Sequence, residues 1–371
     1  MTDSRPIAAT REHRADVLRH FGAAEADLDA LLNYTQNPFD LSGPLQKGDE
    51  PFVEVWEEYL AEAETVGVFP VLQRVLLQLR FPIREGIGET EAYRAATRRG
   101  DLSSLGGLRE SGLRLVAPER LRLELHPTPA GRIPVLTAPV REDFVSLVQA
   151  LTRRNEPTPL PTSMGALMVS GYNNWDRVSR YRSEWESGEI MTGSWAQAFR
   201  ELIPQKHRYQ DRFILLSEGP CGGIPASHFG LTDVEWIRRS HVIRREHEAA
   251  HYYCRRVLGA MRSNALDEWI ADAAGVLAAG VPDPGFYLQA FLTDDEHGRL
   301  GSYADGLAGH QIGVVRRLLH SLIGRTDWDE LHSLSLGQGP QAMARVIQRL
   351  ASATLEEQWA QCAEEAIGVA G

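Results

Sequence analysis

Cysteine is scarce in this chain. Its 371 residues hold only Cys221, Cys254 and Cys362. Three widely spaced thiols, odd in number, do not suggest a disulfide framework, and a reducing, cytoplasmic setting suits them. Long apolar runs are missing too. No stretch approaches the roughly 18 residues that a transmembrane helix needs, so no membrane partner is expected. The opening Met1-Thr-Asp-Ser-Arg-Pro6 lacks the apolar segment of a secretory signal. A basic patch is absent as well. The net charge is −11, and pairs such as Arg244-Arg245 and Arg316-Arg317 are flanked by acids or apolar residues. That excludes the usual electrostatic footprint of a nucleic-acid binder. Lysine is nearly missing, with Lys47 and Lys206 its two occurrences. Arginine in its place, with abundant alanine, is the bias of a GC-rich bacterial genome. There are no internal repeats and no low-complexity tracts.

What remains is a composition that is 43% hydrophobic and 24% charged, ordinary for a globular protein, and one pentapeptide that carries chemistry. His247-Glu248-Ala249-Ala250-His251 is an HExxH sequence in a run that reads as helix. A helix advances about 100° and 1.5 Å per residue, so the two imidazoles leave one face about 6 Å apart along the axis. They can meet at one divalent ion. Glu248 sits about 100° from His247, placed to reach a water molecule at that ion rather than to be a first ligand. Ala249 and Ala250 are small, so the turn between the histidines can pack closely against other backbone.

A second segment strengthens the first. Asn264 can cap a new helix with Asp267 at its third position. On that helix Glu268 and Asp272 share a face. Glu268 offers a third ligand, and Asp272 can accept a hydrogen bond from the outer nitrogen of a liganding histidine and so fix its tautomer. Cys254 lies near in sequence and offers a softer ligand, although a free cysteine in a helix is more commonly a small buried apolar residue. Tyr252 and Tyr253 read as packing on the metal helix.

HExxH followed by a helix bearing Glu268-Trp-Ile-Ala-Asp272 resembles the gluzincin metallopeptidases, the thermolysin-like clan. The resemblance covers about thirty residues. It implies His247, His251 and Glu268 as zinc ligands, Glu248 as general base and Asp272 as the support of a histidine. It also implies a donor for the charge that builds on the scissile carbonyl oxygen. His310 is the first candidate, because Asp305-Gly-Leu-Ala-Gly-His310 sets an acid ahead of a histidine as those enzymes do, with Asp305 orienting the ring. Tyr303 is the second candidate.

The rest of the chain reads as follows. Helices are expected over residues 7–32, over 51–64 opened by Pro51, and from Val71 to Leu79. Leu113 to Val116 and Leu121 to Leu125 look like short strands, and Pro127-Thr-Pro-Ala-Gly131 is a turn-rich break. Ala166 to Ser170 and Arg212 to Ser217 read as strands, and Asn173-Asn-Trp175 starts a helix through Trp185. Thr232 can cap the metal helix with Glu235 at its third position. The helices from Pro340 onward read as packing and lid material. We therefore expect an α+β protein, mainly α, with a zincin-like helix beside a small mixed sheet. An N-terminal helical and mixed region over 1–135 would precede a catalytic domain over 140–371 with a helical C-terminal lobe.

The function that follows is hydrolysis of an amide or peptide bond with Zn2+ as cofactor and Glu248 as base, on a narrow range of peptide or small amide-containing substrates. Iron, manganese or cobalt would also suit two histidines and a carboxylate. Two alternatives stay open: a non-proteolytic metalloenzyme that tailors a small metabolite or peptide precursor, and an inactive metal-binding interaction protein.

Overall fold

The computed structural model describes residues 10–101, 103, 112–188, 193–294, 298–336 and 340–368. The chain is an α+β protein dominated by helices, and it divides into two compact units. One unit comprises Met1–Lys47 with Pro220–Gly371, the other Gly48–Gly219.

Among the described residues the unit spanning 48–219 holds four strands: β1 (Arg122–His126), β2 (Ile133–Ala138), β3 (Ala166–Asn173) and β4 (Gln210–Ser217), in the order β1-β2-β4-β3. β1 pairs antiparallel with β2, β2 parallel with β4, and β3 antiparallel with β4. Every residue of β2 is buried, as befits a central strand with a parallel neighbour. The parallel pair needs a long crossover, and the segment between β2 and β4 provides it with α6 (Arg141–Thr152), β3, α7 (Trp175–Glu186) and α8 (Trp195–Leu202). The core gathers Phe52, Trp56 and Tyr59 of α3 (Phe52–Val66), Val71, Leu72 and Val75 of α4 (Val68–Val75), Leu147 and Val148 of α6, and Phe213 and Leu215 of β4. α5 (Glu91–Arg99) belongs to the same unit. Asn174 caps α7 as its sequence suggests, accepting from the Asp176 and Arg177 amides. Buried Asp211 accepts hydrogen bonds from Trp56 Nε1 (2.9 Å), Asn174 Nδ2 (2.7 Å) and Arg177 Nη1 (2.8 Å), so this buried charge is both paired and hydrogen-bonded.

Three expectations are corrected here. The chain does not divide between residues 135 and 140, because β2 lies there in the middle of the sheet, between β1 and β4. Leu113 to Val116 forms no strand: instead the Leu113 amide bonds to the Leu79 carbonyl and the Val116 amide to the Asp143 carboxylate. β3 runs on past Gly171, whose φ of +72° absorbs a register shift between Ser170 and Tyr172. The HExxH helix belongs to the unit formed by residues 1–47 and 220–371. Residues 7–9 of the first expected helix lie outside the described residues.

The unit formed by residues 1–47 and 220–371 is helical. It contains α1 (Arg11–His20), α2 (Leu28–Tyr34), α9 (Asp233–Arg256), α10 (Ala265–Ala278), α11 (Pro284–Leu288), α12 (Gly309–Arg325), α13 (Trp328–Ser335), α14 (Pro340–Ala351) and α15 (Leu355–Gly368). α11 runs on into a π-helical turn, Gln289–Thr293. Thr232 caps α9 by accepting from the Glu235 amide, and Asn264 caps α10 by accepting from the Asp267 amide, the two caps read from sequence. α10 is buried almost end to end and packs along α9. They approach closely at Gly275, where a Cβ would lie 2.6 Å from the carbonyl oxygen of Ile243. Only glycine lets the two backbones meet so closely. Trp269 of α10 is fully buried and donates to Gln358 of α15 at 3.0 Å. Among the described residues no helix is long and apolar enough to cross a membrane.

Candidate metal centre

His247 and His251 stand one turn apart on α9, and Glu268 faces them from the first turns of α10. The two Nε2 atoms are 3.0 Å apart. Glu268 Oε1 lies 3.3 Å from His251 Nε2, and Glu268 Oε2 lies 3.7 Å from His247 Nε2. Among the described residues these three form the group of His, Cys, Asp and Glu side chains that can share an ion. A tetrahedral zinc bound at about 2.0–2.1 Å sets its ligand atoms about 3.3 Å from one another. The observed spacings bracket that value.

The hydrogen bonding says which atoms are free for this. His247 Nδ1 donates to Asp272 Oδ1 at 2.7 Å, which leaves a lone pair on Nε2. The two Nε2 atoms then face each other at hydrogen-bond distance, so a proton or a cation must lie between them. Glu268 Oε2 is buried and has no hydrogen-bond partner, although buried carboxylate oxygens are normally satisfied. Two imidazole nitrogens and a carboxylate, buried and converging, are the donor set of a divalent zinc-like ion. The residues fit the ion their sequence implies.

Charge is arranged around the same point. Burial would lift the Glu268 carboxyl, but His251 and His247 outweigh it and hold the group below its ordinary range. Burial likewise opposes ionisation of His251, yet Glu268 and Glu248 prevail and push its imidazole up to about 9. Glu248 is buried, and burial lifts its carboxyl above the ordinary value against the pull of His247 and His251. A carboxylate raised in this way is a better proton acceptor than one in water.

Arg299 is the residue that sequence reading missed. Its Nη2 donates to both oxygens of Asp272, at 2.5 and 2.7 Å, and its Nε donates to the Tyr303 hydroxyl at 3.3 Å. Its guanidinium also lies over the Phe291 ring, 5.6 Å from the centroid. Asp272 is thus held from two sides, by His247 and by Arg299. Burial alone would raise its carboxyl, but Arg299 and the hydrogen bond from His247 keep it low. In sequence it is a lone arginine in Gly298-Arg299-Leu300, and nothing in that pattern distinguishes it from other arginines.

The other candidates are distributed as follows. Tyr303 is brought to Arg299, which reaches the ligand His247 through Asp272, and burial raises its hydroxyl well above the ordinary range. His310 is not gathered in. It sits at the start of α12 with its side chain 64% exposed, and its Nε2 lies 3.0 Å from Asp27 Oδ1. Asp27 replaces Asp305 as its partner. Asp305 is exposed beside the Gly306 turn. The physical reason is local: α12 starts with Gly309-His310-Gln311, and both His310 and Gln311 turn to Asp27 at the helix entry. Cys254 stays outside the cluster as a buried thiol that burial drives upward. Tyr252 and Tyr253 are fully buried packing residues.

Comparison with known proteins adds a family. The chain matches a family of unknown function (DUF7005) over residues 16–359. No curated protein and no solved structure matches it.

Proposed function

We propose that this chain, which belongs to the DUF7005 family of unknown function, is a zinc-dependent hydrolase of amide or peptide bonds. The observation that carries the reading is the convergence of His247 Nε2, His251 Nε2 and Glu268 on one point, with Asp272 taking the remaining nitrogen of His247. The resemblance of HExxH and the later Glu268 and Asp272 to the gluzincin pattern supports the same reading.

The residues that would hold the ion are His247, His251 and Glu268. When bound, such an ion supplies Lewis acidity to a carbonyl oxygen and acidifies water. Everything else falls to the chain. Glu248, next to a ligand and lifted by burial, takes a proton from water and returns it to the leaving nitrogen. Asp272 keeps His247 in the tautomer whose Nε2 is bare. Arg299 holds Asp272 and meets the Tyr303 hydroxyl, which makes Tyr303 the candidate of the two to steady an oxyanion. Exposed His310 is a poor competitor for that role.

The test has two arms. Elemental analysis of the purified protein should find about one zinc per chain. The zinc-loaded protein is then offered a mixed peptide library, with cleavage read by mass spectrometry. Glu248→Gln should keep its metal and lose on the order of 10²–10⁴-fold in turnover. Turnover at the parental rate in that variant would remove Glu248 as base. Absence of metal from protein expressed in zinc-replete medium would end the hydrolase reading.

A further inference from the structure

The N-terminal segment reaches the candidate metal centre through Tyr34. Tyr34 is the last residue of α2, far from the HExxH in sequence. Three hydrogen bonds tie it to the neighbourhood of the ligands. The Ala265 amide donates to the Tyr34 hydroxyl at 2.9 Å, the Tyr34 hydroxyl donates to the Tyr303 carbonyl at 3.0 Å, and Asn264 Nδ2 donates to the Tyr34 carbonyl at 3.0 Å.

The partners give these bonds their meaning. Ala265 is the first residue of α10, and its amide is one of the helix-start donors without an intrahelical acceptor. Asn264 caps that helix and accepts the Glu268 amide on its own carbonyl. Tyr34 therefore grips the end of α10 from which Glu268 projects. With the same oxygen it holds the backbone of Tyr303, whose side chain meets Arg299, which in turn grips Asp272. The helix carrying the carboxylate ligand and the segment carrying Arg299 and Tyr303 come from separate stretches of chain, and one phenol oxygen joins them.

We propose that Tyr34 is a positioning residue of the metal centre: its hydroxyl sets the N-terminus of α10, and so the Glu268 carboxylate, against the Arg299–Tyr303 segment. The assignment rests on the metal-dependent reading above. It gives residues of α2 a part in holding the ion, although none of them touches it. Removal of the oxygen alone leaves the ring in place, strands the Ala265 amide and the Tyr303 carbonyl, and frees Glu268 to drift from the point it shares with the histidines.

Tyr34→Phe is compared with the parent and with Ser321→Ala. The latter removes the Trp359 Nε1 to Ser321 Oγ bond (3.0 Å) elsewhere in the same unit, and it serves as a control for general loss of stability. Three quantities are read: Zn2+ affinity by competition with a chromophoric chelator, the visible spectrum of the Co2+-loaded protein, and melting of the metal-free protein. We expect Tyr34→Phe to bind Zn2+ about tenfold more weakly, the lower end for a residue acting behind a ligand. Its Co2+ bands should shift, whereas Ser321→Ala should match the parent in both metal readouts. Parental Zn2+ affinity and Co2+ bands in Tyr34→Phe overturn the assignment while leaving the hydrolase reading in place. Equal loss in Ser321→Ala, or a Tyr34→Phe chain that no longer folds, also overturns it, because Tyr34 then serves the scaffold at large. A parent that takes up neither ion overturns both readings together.

Discussion

Asp272→Asn is the substitution that most sharply separates a metal centre from a buried ion-pair network. Asp272 accepts His247 Nδ1 at 2.7 Å and Arg299 Nη2 at 2.5 and 2.7 Å, and it is almost wholly buried. A carboxamide of the same shape offers one acceptor oxygen where there were two, and points N–H donors at groups that are themselves donors. Two costs follow. The first is electrostatic: Arg299 loses its buried counter-charge. Stripping one partner from a buried pair costs about 3–5 kcal/mol, and the partial exposure of Arg299 brings this down to roughly 2–3 kcal/mol. For a unit of this size that is a fall of roughly 5–10 °C in the melting temperature of the metal-free protein. The second cost concerns the ion. With Nδ1 no longer pinned, His247 samples the tautomer that places its proton on Nε2, and metal affinity falls about 10–100-fold.

The assay measures the two costs separately, by calorimetric melting in excess chelator and by Zn2+ competition titration. Both should fall in Asp272→Asn. A variant that melts early yet binds Zn2+ with parental affinity would reduce Asp272 to a counter-ion for Arg299. A variant indistinguishable from the parent in both would refute the geometry itself.

Other perturbations have equally definite outcomes. Gly275→Ala should lower stability by about 1–2 kcal/mol in urea unfolding, because overpacking against the Ile243 carbonyl outweighs the roughly 1 kcal/mol that alanine gains in a helix; a stabilised variant would contradict the close approach of α9 and α10. His310→Ala should retain zinc and turnover; losses like those of Glu248→Gln would bring His310 back into the site. In the same variant the Asp27 carboxyl, which the hydrogen bond from His310 holds below its usual value, should titrate nearer that value in carbon-detected NMR. A depressed carboxyl contributes stability above its unfolded pKa and loses it as pH falls through the folded one, so the variant's deficit against the parent should vanish in acid, and a deficit that persists there would assign the loss to packing.

The site was legible in the sequence to the extent that it is built from short-range helix geometry. His247 and His251 lie one turn apart, and Glu268 and Asp272 one turn apart, so their alignment is fixed once each segment is a helix. The caps Thr232 and Asn264 were readable for the same reason, since a side chain that accepts an amide three residues on is a local event. Residues brought in by tertiary packing left no such trace. Arg299 and Tyr34 act across long gaps in sequence, and each carries a residue type with dozens of blander uses. The pairing of His310 with Asp305 was misread for the opposite reason: the spacing fitted a known pattern, but His310 meets Asp27 at the entry of α12, and a local pattern carries no information about a competitor from another part of the chain.

The fold divides along the same line. Element types followed from periodicity and punctuation, which is why α7, α9, α10 and β4 appear close to where they were expected. β2 was missed because Ile133-Pro-Val-Leu-Thr-Ala138 is buried on both faces and so lacks the alternation that marks a strand with one wet side. That single omission displaced the domain boundary, since the Pro and Gly residues just before it read as a linker when they are the turn of a β1–β2 hairpin. Had the run been taken as a central strand, its need for neighbours on both edges would have required a partner from far along the chain, and the apolar run Phe213-Ile-Leu-Leu216 is the strand it pairs with. The demand of a doubly buried strand for two partners is therefore a constraint that sequence alone carries, even where its periodicity is silent.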